Sequence, residues 1–189
     1  MLDIVLASAS PRRKELLGKA YDSFRIITSD VDETLPPEVA PVDGVVVLAL
    51  RKGRAVADTL PDTCVVISSD TLVEVDGEPL GKPTSREDAY RMLKLLSGRA
   101  HNVHTGVAVH YRGRSVGEVA TSHVRFKPLS DEEIWGYIDT GEPVDKAGAY
   151  AIQGIGGKFI EGYDGDFDTI MGLSVSLTQS LVERLTGER

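Results

Sequence analysis

A cluster of hydroxyl and guanidinium groups near the start of the chain could bind a phosphate. In the stretch SASPRRKELL, Ser8 and Ser10 precede Arg12 and Arg13 at the start of a predicted helix. Arginine at this end of a helix opposes the helix dipole by about 0.3–1 kcal/mol. Either both side chains bend away into water, or an anion normally lies among the backbone N–H groups, hydroxyls and guanidinium groups there. The turn lacks the glycines of a Walker A loop or a dinucleotide-binding fingerprint.

Two acidic positions follow predicted strands. Asp70 comes directly after the apolar run CVVISS, and the carboxyl end of a buried strand is a favoured place for functional residues in α/β folds. An aspartate that caps the next turn would give the same pattern. Glu33, in SDVDE, could supply a second carboxylate to a divalent cation, or it could belong to an ordinary acidic loop.

Two lysines are further candidates for anion binding, although each is a weak indication when taken alone. Lys52 lies between Arg51 and Arg54 in the predicted helix segment LALRKGRAV, and we interpret the two arginines as part of a solvated face. Lys82, in PLGKPTS, lies between a predicted hairpin and a predicted helix, where a lysine is usually exposed to solvent.

Other patterns do not predict a metal or nucleophile site. The alternating aspartates of YDGDFDT lack the glycine and glutamate that a calcium-binding EF-hand loop requires. His101 and His104 are three residues apart in a predicted strand, so their side chains point to opposite faces. Cys64, inside an apolar strand, is expected to lie in the core.

The composition indicates one medium-sized domain over residues 1–189, with 41% apolar residues and a net charge of −8. This charge argues against a nucleic-acid partner. No apolar run approaches the ~18 residues of a membrane span, and the amino terminus lacks the basic start of a signal peptide. A single cysteine fits a reducing compartment, so we expect a cytoplasmic protein without a membrane partner.

The order of predicted elements indicates an α/β fold with a mixed β-sheet and flanking helices. Strands are expected at 2–7, 23–29, 63–70, 101–111 and 115–126, with a hairpin at Asp76-Gly77. Helices are expected from Ser10 to about Ala20, at 42–59, at 84–98, at 130–139 and at the carboxyl terminus. Thr84 with Glu87, and Ser130 with Glu133, are predicted capping boxes. The glycine-rich stretch 145–173 is not assigned.

Several stretches together resemble the Maf family of nucleotide pyrophosphatases. They are LASASPRRKELL, SDVDE, LRKGRAV, SSDTLVEVDGEPLGKP, TGVAV and DKAGAYAIQGIGGKFIEGYDGDFDTIMGLSV, which span the chain from the first strand to about Val175. The resemblance implies an inosine-triphosphatase-like architecture with a cleft, and a homodimer. It also implies hydrolysis of a nucleoside triphosphate between its α and β phosphates, with Mg²⁺ or Mn²⁺ as cofactor, to a monophosphate and pyrophosphate.

By matching position, the resemblance implies a role for each site residue. Asp70 falls where the family has its catalytic acid, which is proposed to accept a proton from water. Glu33 matches an active-site carboxylate, so Glu33 and Asp70 are the expected metal ligands. The expected substrate-binding residues are Ser8, Arg12, Arg13, Lys52, Thr71, Lys82 and Gln153.

The resemblance also bears on the choice of base. Arg12, Thr71 and Gln153 match positions associated with substrate choice, and DKAGAYAIQG resembles the branch that acts on dTTP and UTP. The branch that acts on 7-methyl-GTP carries a glutamate in place of Gln153. Three questions stay open at this level: whether Asp70 acts as base or metal ligand, which triphosphate is preferred, and whether the protein is instead a non-catalytic nucleotide-binding regulator of cell division.

Overall fold

The computed structural model describes residues 1–188 and confirms the α/β class. The strands are β1 (Asp3–Leu6), β2 (Arg25–Ile26), β3 (Cys64–Val75), β4 (Glu78–Leu80), β5 (Ala100–Tyr111), β6 (Arg114–Phe126) and β7 (Ile160–Asp164). The helices are α1 (Pro11–Leu17), α2 (Pro41–Ala57), α3 (Arg86–Leu96), α4 (Asp131–Asp139), α5 (Phe167–Met171) and α6 (Val175–Thr186). Short 3₁₀ segments cover Glu142–Asp145, Ala147–Ala149 and Ile155–Phe159.

The seven strands form a mixed sheet, as predicted. Their order is β2-β1-β3-β5-β6-β7, and β4 pairs with β3 outside this path. β1 runs parallel to both β2 and β3, whereas β3 with β4 and β6 with β7 are antiparallel pairs. No helix within residues 1–188 is both long and apolar enough to cross a membrane.

The chain divides into two compact units that share strands β3, β5 and β6. The first unit contains Met1–Thr71, Thr105–Ala120 and the chain from Phe167 onwards, and the second contains Leu72–His104 and Thr121–Asp166. The single domain predicted over residues 1–189 stays a prediction.

The first unit contains the parallel pair β1 and β3, which is buried over most of its length there. Ile4, Val5 and Leu6 of β1 are all buried, and Cys64 begins a run of six buried residues in β3. Such continuous apolar runs are typical of parallel strands that are covered on both faces. The expected core position of Cys64 is confirmed.

Two glycines let helix α2 lie unusually close to the sheet of the first unit. A Cβ atom on Gly53 would come within 3.0 Å of the Ser68 hydroxyl and of the His110 ring, and one on Gly106 would come within 3.0 Å of the Val45 carbonyl. Ser68 Oγ also donates a 2.6 Å hydrogen bond to the Ala49 carbonyl of α2. The close approach brings the residues beside Gly53 to the strand that they face.

The second unit has an aromatic core, to which α4 contributes Tyr137. Phe126 packs edge-on against Tyr150 with ring centroids 4.8 Å apart, and Tyr137 packs edge-on against Phe159 at 5.0 Å. His101 Nε2 is hydrogen-bonded to the Tyr150 hydroxyl at 2.7 Å. Burial lowers the pKa of His101 to about 4, so this imidazole is neutral at pH 7.

Candidate active site

The turn before α1 is organised by its two serine hydroxyls. Ser10 is the N-cap, and its hydroxyl accepts a hydrogen bond from the Arg13 N–H at 3.4 Å. Pro11 occupies the first helical position, where its missing N–H costs nothing. The Ser8 hydroxyl accepts a hydrogen bond from the Ser10 N–H at 3.2 Å. Both caps follow from the local sequence, and they set the direction in which the helix starts.

Arg13 is held inside the first unit and does not bend into water. Its Nε donates to the Gly172 carbonyl at 2.8 Å, Nη2 to Thr71 Oγ1 at 3.2 Å and Nη1 to Ser8 Oγ at 3.4 Å. Burial lowers the pKa of the Arg13 guanidinium, an effect that the negative charge of Asp70 opposes. An arginine keeps its proton under such conditions, so the site holds a permanent, partly desolvated positive charge.

The partners of Arg13 form a directed chain of hydrogen bonds. Thr105 Oγ1 donates its single proton to the Thr169 carbonyl at 2.7 Å, so in the 3.0 Å contact between the two threonine hydroxyls Thr71 is the donor. The lone pairs of the Thr71 oxygen then remain to accept from Arg13. Thr71 therefore helps to orient the guanidinium.

The Gly172 carbonyl also holds Arg13 in place. It accepts hydrogen bonds from Arg13 and from the Ser69 hydroxyl, the latter at 2.9 Å. The Gly172 φ of +123° is a conformation that favours glycine. Sequence reasoning missed Ser69, Thr105 and Gly172. The weak signals were the second serine of SSDT and the glycine of IMGL, neither of which stands out without the fold.

Lys52 connects the two carboxylates that the sequence had singled out. Its ammonium group lies 2.7 Å from Asp70 Oδ1 and 2.9 Å from Glu33 Oε1. The Asp70 and Lys52 side chains are only 15% and 18% exposed, whereas Glu33 is 60% exposed. The close approach of α2 at Gly53 brings this lysine to Asp70 on β3.

The neighbouring arginines of α2 behave differently from each other. Arg54 forms an exposed ion pair with Asp58 at 2.8 Å, one turn later in the helix, which confirms its place on a solvated face. Arg51 donates to the backbone carbonyls of Asp32 and Thr34, the latter at 3.0 Å. Arg51 thus holds the loop that carries Glu33 through exposed hydrogen bonds, and its place on a solvated face stays a prediction.

The structure distributes the predicted site residues over the two units. The first unit brings together Arg13 with Ser8 and Thr71, and Lys52 with Glu33 and Asp70, while Arg12 precedes Arg13 on α1 and is half-buried. The second unit carries Lys82 just after β4 and Gln153 in a turn before the 3₁₀ segment Ile155–Phe159. Both of these side chains are exposed.

The first-unit cluster combines fixed positive charge with paired carboxylates. The cations suit an anionic ligand, and the carboxylates suit a water molecule or a metal ion. Between residues 1 and 188, no group of three or more histidine, cysteine, aspartate or glutamate side chains is arranged to hold a metal ion.

Curated proteins similar to this chain include several named dTTP/UTP pyrophosphatase. The protein of that name from Thermococcus onnurineus is 48% identical over 180 residues, which cover 95% of this chain and 96% of the relative. The one from Bdellovibrio bacteriovorus is 46% identical over 187 residues, covering 96% and 97%. The one from Bacillus velezensis is 47% identical over 175 residues, covering 93% and 92%.

Solved structures with the same fold include two Ham1 proteins. The one from Coxiella burnetii superimposes with a TM-score of 0.53 at 15% identity and full coverage of both chains. The one from Staphylococcus aureus has a TM-score of 0.50 at 18% identity, covering 96% of this chain and 90% of the other. At such low identity the likeness shows the fold alone, and it agrees with the expected α/β architecture of a mixed sheet with flanking helices.

The chain also matches a protein-family model over nearly its whole length. The model described as Maf-like protein matches residues 3–185, nearly the whole chain. This match agrees with the motifs quoted above and with the full-length similarity to the named relatives. The chain belongs to the Maf family.

Proposed function

We propose that this protein hydrolyses the nucleoside triphosphates dTTP and UTP to the monophosphate and pyrophosphate. The names of relatives that are 46–48% identical over nearly the whole chain support this activity. The observation that carries the proposal is the position of Lys52 between Asp70 and Glu33 in the unit that also holds Arg13. A protein that only binds an anion has no use for two carboxylates there, because they repel the ligand.

The cationic residues would hold the triphosphate. Arg13 has five N–H donors, of which three bond within the protein, so two remain for phosphate oxygens. Arg12, Lys52 and Ser8 would complete the phosphate site in the first unit. The substrate-binding role of Lys82, in the second unit, stays a prediction from the sequence. Arg13 is already oriented before the ligand arrives, which is how electrostatic stabilisation of a transition state becomes effective.

Asp70 would act on the attacking water. Its carboxylate can accept a hydrogen bond from water and take up a proton as the water oxygen bonds to the α-phosphorus. The bond between that phosphorus and the α–β bridging oxygen breaks, and pyrophosphate leaves with the bonding electron pair. Lys52, already bonded to Asp70, would move its charge towards the phosphates once they are bound.

A divalent cation, Mg²⁺ or Mn²⁺, is part of this proposal. The oxygens of Glu33 and Asp70 converge on the Lys52 ammonium, so they are placed to converge on another cation. Two carboxylates fit Mg²⁺, which usually completes its octahedral shell with water and substrate phosphates. When bound, the ion would neutralise charge that develops on the pyrophosphate leaving group. Asp70 serves either as the base or as a ligand of this ion.

Gln153 would read the base. A uracil or thymine edge shows the O4 acceptor beside the N3–H donor, and one glutamine amide can complement both. Arg12 and Thr71 would assist in substrate choice. The homodimer and the cytoplasmic location stay predictions from the sequence.

The test is the release of pyrophosphate from a panel of canonical and modified triphosphates with Mg²⁺ or Mn²⁺. We expect monophosphate plus pyrophosphate from dTTP and UTP. Asp70→Asn should reduce turnover by a factor of about 10² or more without unfolding the protein, since it removes the charged acceptor. A folded Asp70→Asn protein with near-normal turnover would exclude Asp70 from the mechanism. Preferential turnover of 7-methyl-GTP would reassign the substrate, and tight binding without turnover would favour the regulator.

A further inference from the structure

Gln153 lies in a tight turn that is anchored on both sides. The Gly154 N–H donates to the Ala151 carbonyl at 3.2 Å, which closes a four-residue turn with Ile152 and Gln153 at its centre. We call residues 151–154 the Gln153 turn. Gln153 is exposed, so its own side chain does not hold the turn in place. The constraint must come from the backbone on either side.

Two side chains supply that constraint, one from the last turn of α4 and one from the start of the 3₁₀ segment Glu142–Asp145. The Tyr137 hydroxyl accepts a hydrogen bond from the Ala151 N–H at 3.2 Å, at the start of the Gln153 turn. The Glu142 carboxylate accepts from the N–H groups of Ile155 and Gly156, both at 2.9 Å, just after the turn. Tyr137 also donates its hydroxyl proton to Glu142, so the two anchors are joined to each other.

The packing around these anchors explains two glycines of the stretch AIQGIGG. A Cβ atom on Gly154 would overlap the Glu142 carboxylate, and one on Gly156 would lie 2.5 Å from the Tyr137 hydroxyl oxygen. Tyr137 itself is fixed, since it is 1% exposed and packs edge-on against Phe159. The backbone next to Gln153 therefore fits closely around the two side chains.

The charge of Glu142 strengthens this attachment. Its partial burial raises the pKa of the Glu142 carboxyl, but hydrogen bonds from Tyr137 and from the backbone of Gly156 and Ile155 outweigh that effect and leave the pKa lowered. The carboxylate is thus ionised at neutral pH. Hydrogen bonds to an ionised acceptor are roughly twice as strong as those between neutral groups.

We propose that Glu142 and Tyr137 are positioning residues for base selection, because together they hold the Gln153 turn in the one conformation that presents the Gln153 amide to the base. This inference rests on the proposed function, in which Gln153 reads a uracil or thymine edge. An amide that must match a donor and an acceptor at once needs a fixed backbone. A mobile turn would let the amide serve other bases nearly as well.

The test compares Glu142→Gln with the wild-type protein and with Glu161→Gln. The side-chain amide introduced by Glu142→Gln has one acceptor oxygen where the carboxylate has two. It therefore cannot accept from the Tyr137 hydroxyl and from both backbone N–H groups at once. Glu161 is an exposed glutamate of β7 in the same unit, so its replacement makes the same charge change away from the anchors. Tyr137→Phe is a second test variant that removes the other anchor while it keeps the buried ring.

Two measurements are made on each variant. The first is the ratio of Kd values for the α,β-methylene analogues of UTP and GTP, which does not depend on turnover. The second is the hydrogen-exchange rate of the Ile155 and Gly156 amides. We expect Glu142→Gln to narrow the UTP preference about tenfold, a typical effect of lost orientation, and to speed exchange at both amides. Tyr137→Phe should narrow the preference in the same direction, and Glu161→Gln should change neither quantity.

Three outcomes would overturn the inference. An unchanged preference in Glu142→Gln, whether or not exchange is faster, would show that the anchors do not serve base selection. An equal loss in Glu161→Gln would show a general charge effect. Equal Kd values for the UTP and GTP analogues in the wild-type protein would show that Gln153 does not recognise the base, which the inference requires. If the wild type releases no pyrophosphate yet prefers the UTP analogue, and Glu142→Gln loses that preference, the proposed reaction fails and this inference stands.

Discussion

At the scale of single residues, Lys52 joins the carboxylates of Asp70 and Glu33 through contacts of 2.7 and 2.9 Å. Two carboxylates that share one ammonium group are stabilised by it and repel each other without it. Replacing Lys52 therefore does more than remove one phosphate contact, because it also leaves a repulsive pair beside a substrate that is itself an anion.

We expect Lys52→Met, which keeps the length of the side chain, to reduce kcat/KM for pyrophosphate release by a factor of about 10² or more. The matched control is Arg54→Met on the same helix, since Arg54 forms only an exposed pair with Asp58. That control should keep near-normal turnover. Equal losses in the two variants, or normal turnover in Lys52→Met, would show that the bridge is not needed for the reaction.

At the scale of elements, Lys52 on α2 reaches Asp70 on β3 because Gly53 allows the helix to pack closely against the sheet. Its missing side chain makes room for Ser68 and His110. Gly136, in the middle of α4, is different, because no atom outside its chain neighbours and its own helix backbone lies within 4 Å of the position that its Cβ would occupy. The two helical glycines therefore form a matched pair for one substitution.

We expect Gly53→Ala to destabilise the protein by about 1–3 kcal/mol through overpacking, and to lower turnover because Lys52 moves away from Asp70. Gly136→Ala should instead stabilise α4 by up to about 1 kcal/mol, the difference in helix propensity between the two residues. Urea unfolding midpoints together with pyrophosphate release would measure both effects. A neutral Gly53→Ala variant would contradict the close approach of α2.

At the scale of the whole molecule, the buried His101 links stability to pH. The unfolded histidine titrates near 6.5, and burial holds the native pKa at about 4. Between these values the unfolded chain binds a proton that the native protein does not, so stability is fully present above pH 6.5 and is lost as the pH falls towards 4.

We expect the titration of His101 to lower the free energy of unfolding by on the order of 3 kcal/mol over that range. Urea unfolding at a series of pH values from 7 to 4 would give the slope of the free energy of unfolding against pH. His101→Gln should flatten the slope, whereas replacing the exposed His123 in the same way should leave it unchanged. Parallel slopes in the wild type and in His101→Gln would refute the assignment.

Much of the fold could be predicted from residue order, because it depends on neighbours along the chain. Alternation, apolar runs and helix-capping residues are local properties, so the mixed α/β class, the Ser10 cap and the Ser130–Glu133 capping box were predicted correctly. The capping box at Thr84 and Glu87 was wrong by one residue. Ser85 caps α3 instead, and Asp88 accepts a hydrogen bond from the Thr84 N–H. The sequence pattern misses this because a one-residue shift leaves it almost unchanged.

The candidate site was predictable in its members but not in its contacts. The linear motifs contain Ser8, Arg13, Lys52 and Asp70, and their number and type indicate an anion beside a carboxylate. Which cations turn inward is decided by the face of α2 that meets the sheet and by the close approach at Gly53. The partners Gly172 and Thr105 are far from the residues they hold, up to 159 positions along the chain. Such contacts exist only once the chain has folded.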